Sequence, residues 1–292
     1  MHKYVLHNGN VEEAGKKLLS AGQVGFLNGW GVFSTLRVTN GVLFAFERHY
    51  ARMKRDARRL HVPFPFSPDE LSGALASLIE ANKAFDAVLR AALIRNRGGL
   101  FEGPNIETDC ELIAFTAPLA DWGHGVHLTY VPNGRFGASP FAGAKVTSWA
   151  ENLTWYEEAH EEGFDEVVLL NELGQVSECT SANIFAIQGS EVWTPPLATS
   201  GCLPGVTRAI LLEEIHLDGI EIVERELTPS ELEASDRVFI TSTTRDLLPV
   251  LAVDRLSLGQ ETAVFDLLSR AFASYRSSYT RRAISRRLLV HS

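Results

Sequence analysis

The stretch from Lys145 to Arg208 constrains the fold most, because strand, turn and helix signals follow one another in it without a spacer. A lysine opens it and leads into a helix-length run with Leu153, Tyr156 and Ala159 near one face, interrupted by Gly163. Glu166 to Leu170 reads as an apolar strand, Gly174 as a turn, and the next strand carries Glu178. Cys179 to Asn183 lead into a third strand, Ile184 to Ile187. A Gly-Ser turn then precedes Val192-Trp193-Thr194 and two prolines. Leu203-Pro204-Gly205-Val206-Thr207-Arg208 closes the stretch as a tight turn feeding a helix that runs on to Leu217.

Upstream, Asn8-Gly9 reverses a first strand, and Thr39-Asn40-Gly41 joins two β-rich runs, Thr35 to Val38 and Val42 to Phe44. A helix follows from Glu47 to Leu60, with Tyr50, Met53, Ala57 and Leu60 on one stripe and Pro63 as its stop. Ser67-Pro68-Asp69-Glu70 opens a second helix reaching about Ala81. Ala87 to Ile94 and Glu111 to Thr116 read as strands around a Gly-rich loop, Arg95 to Pro104. Residues 117–125 carry turn residues and mark a link, so the expected organisation is a domain over 1–118, a linker over 119–125 and a domain over 126–292. Past the central stretch, strands are expected at Glu221 to Glu224 and Val238 to Thr241, with a short helix from Pro229 to Ala234 between them. An amphipathic helix is expected over Thr262 to Phe272, and the arginines of the tail (Arg276, Arg281, Arg282, Arg286, Arg287) read as a solvated basic face.

A net charge of -9 argues against nucleic acid as a general partner, because phosphate neutralisation needs a basic surface. No apolar run approaches ~20 residues, so no membrane span is expected. The first residues also lack the apolar core of a signal peptide. Cys110, Cys179 and Cys202 are too few and too scattered for a disulfide framework or a zinc ribbon. No metal site is expected, and a reducing cytoplasm is the simplest home.

Glu178-Cys-Thr-Ser-Ala-Asn183, Trp193-Thr194-Pro195 and Gly205-Val206-Thr207-Arg208 stand in an order and spacing that resemble the class IV pyridoxal-phosphate (PLP) enzymes. The resemblance runs from about Gly29 to Val250. It implies a two-domain α/β fold (α+β, fold type IV) with a small N-terminal domain, a larger C-terminal one and the cofactor between them. It also implies a homodimer. The activity implied is an aminotransferase acting on small amino and keto acids, with 4-amino-4-deoxychorismate lyase as the alternative.

Each chemical demand of PLP then has a matching residue. Lys145 is in register to hold the cofactor as a Schiff base and shuttle protons; alone it would read as a surface lysine. Glu178 would face the pyridine nitrogen and keep it protonated. Thr180, Ser181 and Asn183 would line the cofactor behind it, and Leu203 would pack on the ring. Val206 and Thr207, at a helix start, would take the phosphate with Thr243 and with Arg52 of His49-Tyr50-Ala51-Arg52. The substrate would meet Phe33, Ser34 and Thr244, with Arg37, Arg95 and Arg97 as candidates for its carboxylate.

Two positions depart from the family pattern. Ser34 stands where many members carry glutamate, as in some aminodeoxychorismate lyases, and Ala150 stands where branched-chain enzymes place a tyrosine.

Overall fold

The computed structural model of the protein describes residues 1–261 and 263–290. Its contacts divide the chain into two compact units. The first holds Met1–Ala120, Ala144–Trp149 and the chain from Arg276; the second holds Asp121–Gly143 and Ala150–Tyr275. Residues 126–292 therefore do not stay together, because Lys145 and the end of the last helix go with the first unit.

In the first unit, β1 (Tyr4–His7) turns at Asn8-Gly9 into β2 (Asn10–Glu13). Both turn residues have positive φ, 48° and 86°, which asparagine and glycine tolerate and branched residues do not. A short helix, α1 (Val24–Asn28), precedes β3 (Gly31–Thr39), β4 (Val42–Leu43), α2 (Phe46–Arg59), α3 (Pro68–Asn82), β5 (Ala87–Arg95) and β6 (Cys110–Ala117). The strands form one antiparallel sheet in the order β2-β1-β6-β5-β3-β4. The α2 stripe is as the spacing predicts: Tyr50, Met53 and Ala57 are buried, while His49, Arg52 and Asp56 go under with them. Those three polar residues matter below.

In the second unit, β7 (Val126–Val131) and α4 (Ala150–Glu161) lead to β8 (Glu166–Leu170), β9 (Val176–Cys179), β10 (Asn183–Gln188) and β11 (Glu191–Thr194). Then come α5 (Leu197–Ser200), α6 (Val206–Glu213), β12 (Glu221–Glu224), α7 (Pro229–Glu233), β13 (Arg237–Ser242), β14 (Asp246–Val253), β15 (Leu256–Ser257) and α8 (Ala263–Val290). The sheet runs β12-β11-β10-β13-β14-β7-β8-β9, with β15 on β14. Its parallel pairs are β11/β12, β14/β7 and β7/β8. β8 is buried along its whole length, which explains a strand without polar alternation.

Three helices differ from the sequence expectation. The buried face of α4 carries Asn152 and Ala159, while Leu153 lies 48% exposed. A polar side chain takes the inward position because it has a partner to bond there. α6 ends at Glu213 instead of Leu217. Consecutive carboxylates at Glu213 and Glu214 oppose the negative end of the helix dipole, and the chain turns out into a bridge between Leu217 and Ile220. α8 runs far past Phe272, since no glycine or proline interrupts 263–290. Its expected first residue, Thr262, lies outside the described residues, as does the side chain of Arg287. Tyr279 of that helix donates to Glu47 at 2.6 Å and packs edge-on against Phe44.

The N-terminus of α3 shows the capping box read from Ser67 and Glu70: Ser67 Oγ accepts from Glu70 N–H, and the Glu70 carboxylate accepts from Ser67 N–H. Ser67→Ala is therefore expected to lower unfolding free energy by about 1 kcal/mol in urea denaturation, with the slope unchanged.

Candidate active site

In the first unit, polar and aromatic residues gather around Lys145. The backbone N–H of Lys145 donates to Asp56 Oδ2 at 3.0 Å, and its carbonyl accepts from Phe33 N–H at 3.1 Å. Val146 bridges to Val32, and Thr147 N–H donates to the Gly31 carbonyl, so the segment is stitched onto the start of β3. Glycine is required there, since a Cβ on Gly31 would lie 2.7 Å from the Leu93 carbonyl oxygen and 2.9 Å from Thr147 Oγ1.

Lys145 Nζ lies 4.6 Å from the centre of the Phe33 ring and 5.8 Å from that of Trp149. Arg90, from β5, stacks its guanidinium on the same rings, at 3.7 and 5.6 Å. Arg90 has no ion pair among the described residues, and burial lowers its pKa. A half-buried cation resting on rings alone is suited to receive an anion.

Behind Phe33, Ser34 is wholly buried. Arg52 Nη2 donates to Ser34 Oγ at 2.9 Å, and Ser34 Oγ lies 2.8 Å from His49 Nδ1. The serine hydroxyl accepts from arginine and shares a second hydrogen bond with His49 Nδ1, an arrangement that suits a neutral imidazole. Burial, Arg52 and Lys145 push the His49 pKa well below its ordinary value, in agreement.

The second unit builds around Glu178, on β9 and buried. Arg135 Nε donates to Glu178 Oε1 at 2.8 Å, and Leu203 N–H donates to Oε2 at 3.0 Å. Arg135 also donates to the Gly134 carbonyl and to Asn152 Oδ1, while Asn152 Nδ2 donates to the Thr180 carbonyl at 2.7 Å. That bond is why α4 turns Asn152 inward. A carboxylate has about four acceptor positions, so two remain for a further donor such as a ring N–H.

Beside it, Asn183 Nδ2 donates to the Leu203 carbonyl at 2.8 Å. A Cβ on Gly205 would sit 2.0 Å from Asn183 Oδ1, so only glycine lets α6 start this close to the strand. The helix has no side-chain cap, and its first N–H groups lack intrahelical acceptors. Val206 and Thr207 are buried there, and Arg208 anchors the helix by donating to the Pro195 carbonyl at 2.9 Å and to Glu224. Across β10, Asn183 pairs with Thr241, and the turn that follows holds Ser242, Thr243 and Thr244. Open amides and hydroxyls on one strand pair form a donor set for an oxyanion.

The remaining expected residues are placed otherwise. The hydroxyls of Thr180 and Ser181 both donate to Glu166, at 2.5 and 2.7 Å. Arg95 donates to the carbonyls of His61 and Arg97 at 2.7 Å each and stacks on Trp30 at 4.2 Å. Arg97 pairs with Glu102 at 3.4 Å and Asp109 at 3.7 Å, in an open cleft of the first unit. Arg37 lies on β3, and Thr244 Oγ1 lies 3.2 Å from Ser242 Oγ.

Sequence reading missed Arg90, Arg135, Asn152, Glu166 and Arg245. Arg90 was legible as a charge inside the apolar run Ala87 to Ile94. The others sit in a loop, a helix and strand ends with no periodic signal.

The amino-transferase class IV family model matches residues 31–253. The D-alanine aminotransferase of Bacillus licheniformis is 27% identical over 259 residues, which cover 87% of this chain and 90% of that protein. The crystal structure of the Escherichia coli branched-chain amino acid aminotransferase superposes with a TM-score of 0.86 at 24% identity, over 94% of this chain and 95% of that one. A putative 4-amino-4-deoxychorismate lyase from Legionella pneumophila superposes at 0.82 with 25% identity, over 89% and 96%. With residues 31–253 inside the family model, this protein belongs to the class IV aminotransferases, enzymes dependent on pyridoxal phosphate.

Proposed function

We propose that this chain transfers an amino group between an amino acid and a 2-keto acid, with Lys145 as the cofactor-bearing and proton-transferring residue. The observation that carries the reading is the placement of Lys145: main chain tied to Asp56, amine over Phe33 and Trp149, and the cationic Arg90 on the same rings. In a PLP site such an amine would act as the nucleophile toward the cofactor aldehyde.

PLP supplies an aldehyde to take up the amino group and a ring that withdraws electrons. The residues present fit it. Glu178 would accept from the ring N–H with the lone pairs that Arg135 and Leu203 leave, and Leu203 would pack on the ring. The α6 N–H groups at Val206 and Thr207, with the Thr243 hydroxyl, would hold the phosphate, and the family pattern adds the guanidinium of Arg52. Asn183 sets the approach of Leu203 and Gly205 through its bond to the Leu203 carbonyl. Lys145 Nζ would be the group that takes up and returns the proton.

Arg90 is the better support for substrate carboxylate recognition than Arg37, Arg95 or Arg97. Arg95 is engaged by carbonyls and Arg97 by acids, whereas Arg90 rests on Phe33 and Trp149, the rings that the Lys145 amine also faces. Phe33 lines the same space. The lyase alternative leaned on Ser34, but its buried hydroxyl is engaged by His49 and Arg52, which supports a role in orienting Arg52. The reading includes a homodimer in the cytoplasm handling small amino and keto acids, without nucleic acid or membrane partners. The family pattern and the net charge of -9 support it.

Purified protein is expected to show the visible band of lysine-bound cofactor, and Lys145→Ala to lose both band and turnover while its circular dichroism stays unchanged. Retention of the band would reject the assignment. Activity should be found on a panel of D- and L-amino acids with 2-oxoglutarate or pyruvate; release of pyruvate from aminodeoxychorismate alone would favour the lyase. Arg90→Ala should raise KM for the amino acid roughly 10- to 100-fold with a smaller change in kcat, the loss of one hydrogen-bonded ion pair to a carboxylate. An unchanged KM would place the carboxylate elsewhere.

A further inference from the structure

We propose that Glu166 and Arg245 form a buried clamp that sets the spacing between the turn carrying Glu178 and Asn183 and the turn carrying Thr243 and Thr244. The proposal rests on the reading of those residues as PLP contacts and adds two positioning residues to it.

Glu166 opens β8 and has no exposed surface; the side chain of Arg245 is 3% exposed. Arg245 Nη2 lies 3.4 Å from Glu166 Oε2. Between β9 and β10, Thr180 donates to Glu166 Oε1 from both its amide and its hydroxyl, at 3.2 and 2.5 Å, and Ser181 Oγ donates to Oε2 at 2.7 Å. Arg245 Nη1 then donates to Ser181 Oγ at 2.9 Å and faces the Ser181 carbonyl at 3.4 Å. The guanidinium lies 4.0 Å above the Trp122 ring.

Arg245 itself ends the turn between β13 and β14. Ser242 pairs with Asp246 across that hairpin, and Arg245 N–H donates to Ser242 Oγ at 3.2 Å. Arg245 thus joins its own turn to that of Ser181, and one carboxylate, gathering donors from Thr180, Ser181, Arg245 and the Val167 N–H, holds the nearer turn closed. The closing bond of that turn, Cys179 N–H to the Ala182 carbonyl, lies directly between Glu178 and Asn183.

Burying a charge pair seldom stabilises a fold over apolar residues of equal volume, because desolvation offsets the attraction. What such a pair adds is directionality: the acceptors of Glu166 admit one arrangement of Thr180 and Ser181. A shift of the turn by a fraction of an ångström would displace Glu178 from the ring nitrogen while Thr243 stayed in place. The clamp holds the two against each other.

The test uses the full-length holoenzyme. Ser181→Ala removes the hydroxyl shared by both ions, and Arg245→Lys keeps charge but loses the fork. In either variant, shown folded by circular dichroism, the dissociation constant for PLP should rise at least about tenfold, or 1.4 kcal/mol. The pH midpoint of the visible band should shift, because the ring nitrogen loses its carboxylate. Ser181→Thr, which restores the hydroxyl, should recover both. A purely structural pair would lower the melting temperature and leave affinity and pH midpoint at wild-type values; that result overturns the clamp alone. A wild-type protein without a Lys145-dependent band overturns the cofactor reading and the clamp with it.

Discussion

The buried carboxylate of Asp56 carries more of this structure than its place mid-helix suggests. It has almost no exposed surface, and one oxygen accepts from the backbone N–H of Lys145 while the other accepts from Arg55. Leaving such a carboxylate unpaired would cost several kcal/mol. The Lys145 segment therefore joins α2 and β3, although it is distant from them in sequence. With its main chain held at both N–H and carbonyl, only the side chain of Lys145 can move. That suits the role proposed for its amine.

The second unit uses the same device twice. Glu178 and Glu166 are both buried, and each accepts from an arginine and a backbone amide. Both are tied to β8, since Leu169 pairs with Glu178 and Glu166 begins that strand. Carboxylates held this way are oriented by donors on more than one element, which prepares them before any ligand arrives.

Ser34 shows how a departure from a family pattern can be absorbed. A hydroxyl here links Arg52 to a neutral His49. Serine can accept from the arginine and donate to the imidazole at once, a role no carboxylate fills. The geometry of Arg52 is kept without adding a negative charge beside a residue read as a phosphate ligand.

Much was determined by the sequence alone. Hairpins at Asn8-Gly9 and Asn40-Gly41, the capping box at Ser67 and the α2 stripe are local, because turn chemistry and helical period act over a few residues. The order of Lys145, Glu178 and Gly205-Val206-Thr207 was equally legible, since motif spacing survives in the chain itself. Tertiary structure alone decided the rest. It sent Ala144–Trp149 to the first unit through bonds to Asp56 and to the start of β3, and it turned Asn152 instead of Leu153 inward because Thr180 offered a carbonyl. It also spent the hydroxyls of Thr180, Ser181 and Ser34 on protein partners. A polar side chain's role depends on which donors and acceptors reach it from distant elements, and no local pattern records that.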